Sequence, residues 1–196
     1  MHPNIFLIGM PGAGKTTVGK LLAKRTGATF VDVDREIVSR TGVTIASIFE
    51  IEGEAAFRAR ETALIAELVT RSDLVLATGG GAILADENRA ILRANGHVVY
   101  LKARLDELWE RTRRDTNRPL LAQANPQAVL AALFAVREPL YKQTAHLSVE
   151  TGRQSVGRLA DYIVNELRPN SLPCDSPLQP QSSEKTIANI IPPPNN

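Results

Sequence analysis

Short apolar runs alternate along this chain with longer stretches of helical period. Asn4–Ile8, Thr29–Val33, Leu74–Ala77, Val98–Leu101 and Leu147–Glu150 are each too short for a helix and are bounded by turn or polar residues, so they read as buried strands. Between them, Lys15–Arg25, the Thr44–Thr70 region, Asp86–Ala94, Leu105–Arg113, Pro126–Thr144 and a last segment near Val156–Leu167 carry the helical pattern. Strand and helix alternate throughout, which predicts an α/β fold: a parallel sheet with helices on both faces. In such folds, ligands bind beyond the carboxyl ends of the strands.

The pattern stops near residue 167. From Arg168 onward Pro169, Pro173, Pro177, Pro180 and Pro192-Pro193-Pro194 alternate with Ser, Gln and Asn, and apolar residues thin out. Such a segment lacks the apolar surface to offset chain entropy, so residues 168–196 are expected to be a disordered Pro-rich tail on a single domain spanning 1–167. A peptide read by a Pro-binding groove is the other reading of that segment.

Composition narrows the function classes. A chain of 196 residues with 43% hydrophobic residues suits one core. A formal net charge of +2 is too mild to imply a polyanionic partner, although arginines crowd locally. Cys174 is the single cysteine, which leaves no intramolecular disulfide or multi-cysteine metal site and fits a reducing cytoplasm. No basic segment precedes an apolar leader, and no apolar run approaches the roughly 20 residues that cross a bilayer. The expectation is a cytoplasmic protein with no membrane association.

Gly9-Met10-Pro11-Gly12-Ala13-Gly14-Lys15-Thr16 fills the phosphate-loop pattern, directly after the first strand and before the first helix. Glycines let backbone N–H groups converge on phosphate oxygens, the helix start adds its positive end, and Lys15 supplies charge toward the β- and γ-phosphates. A plain strand-to-helix turn would require neither the lysine nor the hydroxyl at those offsets. Gly12, Ala13, Gly14, Lys15, Thr16 and Thr17 are therefore the expected ATP-binding set, with Thr16 holding Mg²⁺. The second strand ends in Asp32-Val33-Asp34, and strand alternation would turn the two carboxylates to opposite sides. Asp32 is assigned to the Mg²⁺ shell and Asp34 to an acceptor; a cap on the following helix is the plainer role for Asp34. The Asn-Lys-x-Asp run that reads guanine is absent from the sequence, which disfavours a GTPase.

Asp32-Val33-Asp34, Gly53-Glu54-Ala55-Ala56-Phe57-Arg58-Ala59-Arg60-Glu61, Ala77-Thr78-Gly79-Gly80-Gly81-Ala82, Arg118-Pro119-Leu120-Leu121 and Arg137-Glu138-Pro139-Leu140-Tyr141 together resemble the shikimate kinase family in order and spacing, over about residues 4–167. The resemblance implies a P-loop fold of the nucleoside-monophosphate-kinase type, three-layered around a five-stranded parallel sheet, with a mobile lid at about 112–124. It implies ATP with Mg²⁺ and phosphorylation of the shikimate 3-hydroxyl to shikimate 3-phosphate, in aromatic amino acid (chorismate) biosynthesis, by a monomer.

Carried over by position, Asp34 resembles the residue that binds the acceptor hydroxyl and takes its proton, with Lys15 and Arg118 completing the catalytic set. Arg58 and Arg137 resemble a clamp on the shikimate carboxylate, a task suited to planar guanidiniums. Arg58 with Glu54 or Glu61 would equally make helix-neighbour ion pairs. Gly79, Gly80 and Gly81 end the third strand where backbone would approach the acceptor. Arg118 resembles the lid arginine that closes on ATP phosphates, Arg111 a residue stacking beside adenine, and Arg153 and Gln154 fall where adenine contacts vary in the family. Without the family, the arginines from Arg111 to Arg118 could suggest nucleic acid, but no interleaved aromatics support that reading. Gluconate kinase and a non-catalytic ATP-binding protein are the competing functions.

Overall fold

The structure, a computed structural model, describes residues 3–113, 125–152 and 154–167. Its five strands, β1 (Ile5–Ile8), β2 (Thr29–Asp32), β3 (Leu74–Ala77), β4 (His97–Lys102) and β5 (Leu147–Glu150), form one parallel sheet in the order β2-β3-β1-β4-β5. β1, β3 and most of β4 are buried on both faces, as their unbroken apolar runs require. The expected strands are all present within a residue or two at their ends.

Among the described residues, eight α-helices flank the sheet: α1 (Lys15–Thr26), α2 (Val33–Thr41), α3 (Ile45–Ile51), α4 (Gly53–Leu68), α5 (Asp86–Asn95), α6 (Leu105–Thr112), α7 (Pro126–Thr144) and α8 (Val156–Glu166). α1 packs on α8 and on β1 to β3, while α4 packs on α2, α3 and α5. The Thr44–Thr70 region is two helices rather than one. Gly53 adopts φ +84°, a left-handed conformation open to glycine, and the chain turns there between α3 and α4.

α2 corrects the sequence reading of the aspartates. β2 stops at Asp32, whose side chain accepts from the Arg35 backbone N–H at 3.4 Å as the N-cap of α2. Val33 and Asp34 already belong to the helix, so strand alternation does not govern where the two carboxylates face. The cap is Asp32, not Asp34.

β1 sits at the centre, between β3 and β4, where the strand order reverses. Ile5 is in register with Val75 on one side and His97 on the other. Buried Asn4 secures this junction at the amino end: its amide donates to the carbonyls of Val69 at 3.3 Å and Arg71 at 2.7 Å, and its side-chain oxygen accepts from Leu74 N–H at 3.0 Å. At the opposite end, register sets Asp32 level with Ala77, and Ala77 level with Leu7. The loops leaving β1, β2 and β3 thus emerge together, at the point where such folds bind ligands.

Candidate functional site

The phosphate loop connects β1 to α1. Gly12 (φ +82°) and Gly14 (φ +94°) hold the left-handed conformations that turn the chain, and Gly14 occupies the N-cap with no side-chain cap bond of its own. The first turn of α1 therefore presents backbone donors to the loop. Lys15 Nζ lies over that loop, donating to the carbonyls of Gly9 at 2.7 Å and Met10 at 3.0 Å. Thr16 Oγ1 donates to the Asp32 carboxylate at 2.6 Å, so these two expected metal ligands are brought together. No cluster of three or more His, Cys, Asp or Glu suited to a metal occurs among the described residues. A hydroxyl with one carboxylate fits Mg²⁺, which keeps several waters and completes its shell on substrate phosphates.

Beside the loop lies a group of charges drawn from three helices. On α4, Arg58 donates to Glu61 at 2.6 Å and to Glu54 at 3.0 Å, and its guanidinium carbon lies 5.2 Å from the Phe57 ring centroid. Arg58 makes the helix-neighbour ion pairs that its spacing suggested, and it also belongs to this cluster. Glu61 is fully buried, and its Oε1 has no hydrogen-bond partner among the described residues. Burial pushes the Glu61 carboxyl above its ordinary value; Arg58 opposes the rise, Asp34 adds to it and Arg137 counters it. Burial alone would lower the Arg58 guanidinium, but Glu61 and Glu54 outweigh it and leave Arg58 raised.

Arg137 projects from the buried face of α7, with 3% of its surface exposed and its Nε without a partner among the described residues. Burial lowers its guanidinium; the Tyr141 side chain resists that shift, and Arg58 reinforces it. An arginine so buried, with a donor unused, is a costly arrangement unless an anion completes it.

The glycine triplet after β3 is what allows these parts to approach. A Cβ on Gly79 would fall within 3 Å of carboxylate oxygens of Glu61 and Asp34. On Gly80 it would lie 2.7 Å from Pro11 of the phosphate loop, and on Gly81 it would run into the Arg58 guanidinium. The triplet is therefore wedged between the phosphate loop on one side and Asp34, Glu61 and Arg58 on the other.

Among the expected nucleotide contacts, Arg111 stands at the end of α6, where it donates to the Gly12 carbonyl at 3.3 Å and to Glu107 at 3.1 Å. That brings the helix leading toward the expected lid against the phosphate loop. Gln154 is exposed ahead of α8. Arg118, Arg153, the expected lid apart from residues 112 and 113, and the 168–196 tail lie outside the described residues. Sequence reasoning assigned no role to Tyr141, whose hydroxyl donates to the Gly80 carbonyl at 2.5 Å. The signal available was its place four residues after Arg137, on the same helical face.

A sequence model of shikimate kinase matches residues 11–168. The chain is 56% identical over 164 residues to the shikimate kinase of Nitrosospira multiformis, covering 84% of each chain. It is 49% identical over 181 residues to the shikimate kinase of Chromobacterium violaceum, covering 92% of this chain and 95% of that one. Among solved structures, the Acinetobacter baumannii shikimate kinase in complex with shikimate superposes with a TM-score of 0.85 at 48% identity, covering 88% of this chain and 96% of the other. By this match over most of its length and by these identities, the chain belongs to the shikimate kinase family.

Proposed function

We propose that this chain transfers the γ-phosphoryl group of ATP to the 3-hydroxyl of shikimate, giving shikimate 3-phosphate and ADP in the route to chorismate. The observation that carries the reading is the meeting of a phosphate loop with two buried or half-buried arginines and an aspartate across one glycine triplet. Family membership gives that geometry its substrate.

In the reaction the acceptor oxygen attacks the γ-phosphorus, the bond to the oxygen bridging the β- and γ-phosphates breaks, and ADP leaves with the electron pair. Asp34 takes the hydroxyl proton, and the Arg58 and Arg137 guanidiniums fix the acceptor through its carboxylate. Holding both partners in line converts an encounter into a unimolecular step. Loop N–H groups, Lys15 and Thr17 bind the phosphates, and Lys15 would exchange its loop carbonyls for phosphate oxygens. Mg²⁺, held when bound by Thr16 and Asp32, supplies charge neutralisation between the phosphates. Arg118 closes on the transferred group from the lid, with Arg111, Arg153 and Gln154 toward the adenine. The remainder of the proposal is a cytoplasmic monomer with a small-molecule acceptor and no nucleic-acid or membrane partner; no described helix is long and apolar enough to span a bilayer.

A coupled ADP-release assay tests the function directly. Shikimate should be turned over in preference to gluconate and nucleoside monophosphates. Preferential turnover of gluconate would overturn the substrate, and ATP binding without turnover of any acceptor would overturn the enzyme.

A further inference from the structure

The phosphate loop and the acceptor cluster are separate in sequence and approach each other at the glycine triplet. Tyr141 lies on the buried face of α7, 1% exposed, with its ring stacked on that of Tyr100 at a centroid distance of 5.0 Å and an interplanar angle of 18°. Its hydroxyl donates to the Gly80 carbonyl at 2.5 Å and lies 3.9 Å from Met10 Sδ in the phosphate loop. Gly80 leaves no room for a side chain beside Pro11, and its neighbours Gly79 and Gly81 leave none beside Glu61, Asp34 and Arg58. Gly80 is thus the residue where the two halves of the site abut. Tyr141 also stands one helical turn beyond Arg137 and interacts with it electrostatically.

We propose that Tyr141 is a positioning residue for phosphoryl transfer: through Gly80 its hydroxyl sets the spacing between the phosphate loop and the acceptor cluster. The inference rests on the kinase reading above and adds to it a residue outside the binding set. Its physical basis is that a part-buried carbonyl held by a short hydrogen bond keeps its orientation, and that misalignment of reacting groups by a fraction of an ångström costs rate before it costs affinity. Burial pushes the Tyr141 hydroxyl well above its ordinary value, so it remains a proton donor across the working pH range.

The test compares Tyr141→Phe, which keeps the stacked ring and removes only the hydroxyl, with Tyr100→Phe, which makes the same change on the other ring. Two readouts are taken. Steady-state kinetics with shikimate should show kcat reduced roughly tenfold for Tyr141→Phe, with the KM for ATP nearly unchanged and any rise in the shikimate KM, through the lost contact with Arg137, smaller than the fall in kcat. Amide hydrogen exchange should be faster in both the 9–14 and 79–83 segments, with α1, α5 and α8 as in the parent. Tyr100→Phe should do neither. The proposal is overturned if Tyr141→Phe retains full kcat, if exchange quickens across the whole domain rather than in the two loops, or if Tyr100→Phe matches it. Absence of shikimate turnover by the parent chain would count against the kinase reading. In that case the exchange pattern still decides whether Tyr141 joins the loops.

Discussion

Thr16 and Asp32 are joined by a 2.6 Å hydrogen bond that ties the first turn of α1 to the cap of α2. One carboxylate thus serves a helix terminus with one oxygen and the expected metal pair with the other. Asp32→Asn should raise the Mg²⁺ concentration needed for half-maximal rate by roughly tenfold or more, since it removes a charged ligand from a site with few protein donors. The cap can survive, because Asn also caps well. Titrating activity against Mg²⁺ checks this, and an unchanged requirement would remove Asp32 from the metal assignment.

Asp34, in the first turn of α2, is expected to carry the proton transfer. Asp34→Asn should lower kcat by roughly 10²–10⁴-fold while ATP affinity stays close to that of the parent. The measurement is kcat from the ADP-release assay beside a nucleotide titration by calorimetry. A variant that instead shows the raised Mg²⁺ requirement, with near-normal kcat at saturation, would exchange the roles of the two aspartates.

Gly81→Ala places a methyl where the Arg58 guanidinium lies. Arg58 must shift, so the acceptor KM should rise by about one to two decades, the scale of one lost charge-assisted contact, with ATP binding spared. A shikimate analogue with a neutral amide for its carboxylate should lose a similar factor in the parent, and much less in Arg58→Ala or Arg137→Ala. Independent, additive losses would show that these arginines do not grip the carboxylate.

The Glu61 carboxyl gives a pH-dependent prediction. Its folded value lies above the ordinary 4.5 because burial outweighs the attraction of Arg58. A group raised in this way contributes stability that is full below its unfolded value and is lost as pH rises through its folded value. The melting temperature of the parent relative to Glu61→Gln should therefore be most favourable in acid and decline from about pH 4.5 upward. Calorimetric scans across that range check it, and a difference that grows with pH would mean that Arg58 dominates the balance.

The strand-to-helix frame was legible because buried parallel strands are short apolar runs and glycines mark their exits. The phosphate loop and the Arg58–Glu61 spacing could be read for the same reason, since each is a local pattern, whereas Arg137 was singled out through the family resemblance alone. α2 was not legible: Val31-Asp32-Val33 looks extended, and only the Asp32 side chain bonding to Arg35 N–H shows that the helix begins there. Nor could the burial of Glu61 be read, because a glutamate three residues from an arginine on a helix ordinarily sits at a solvated face. The contact between Tyr141 and Gly80 spans 61 residues and depends on how α7 meets the sheet, which no local pattern encodes.

The position of β1 also sets when the site can come into being. Its four residues are synthesised before its sheet partners, which are Val75–Ala77 on one side and His97–Tyr100 on the other. Until those strands emerge, the strand that leads into the phosphate loop lacks its sheet partners, and the loop has only its local bonds, such as those from Lys15 to the Gly9 and Met10 carbonyls. During translation the nucleotide cradle is therefore encoded early and assembled late. ATP acquires its cradle only after β4 has been made, and a nascent chain that stalls before β4 exposes an apolar strand that must be shielded from aggregation.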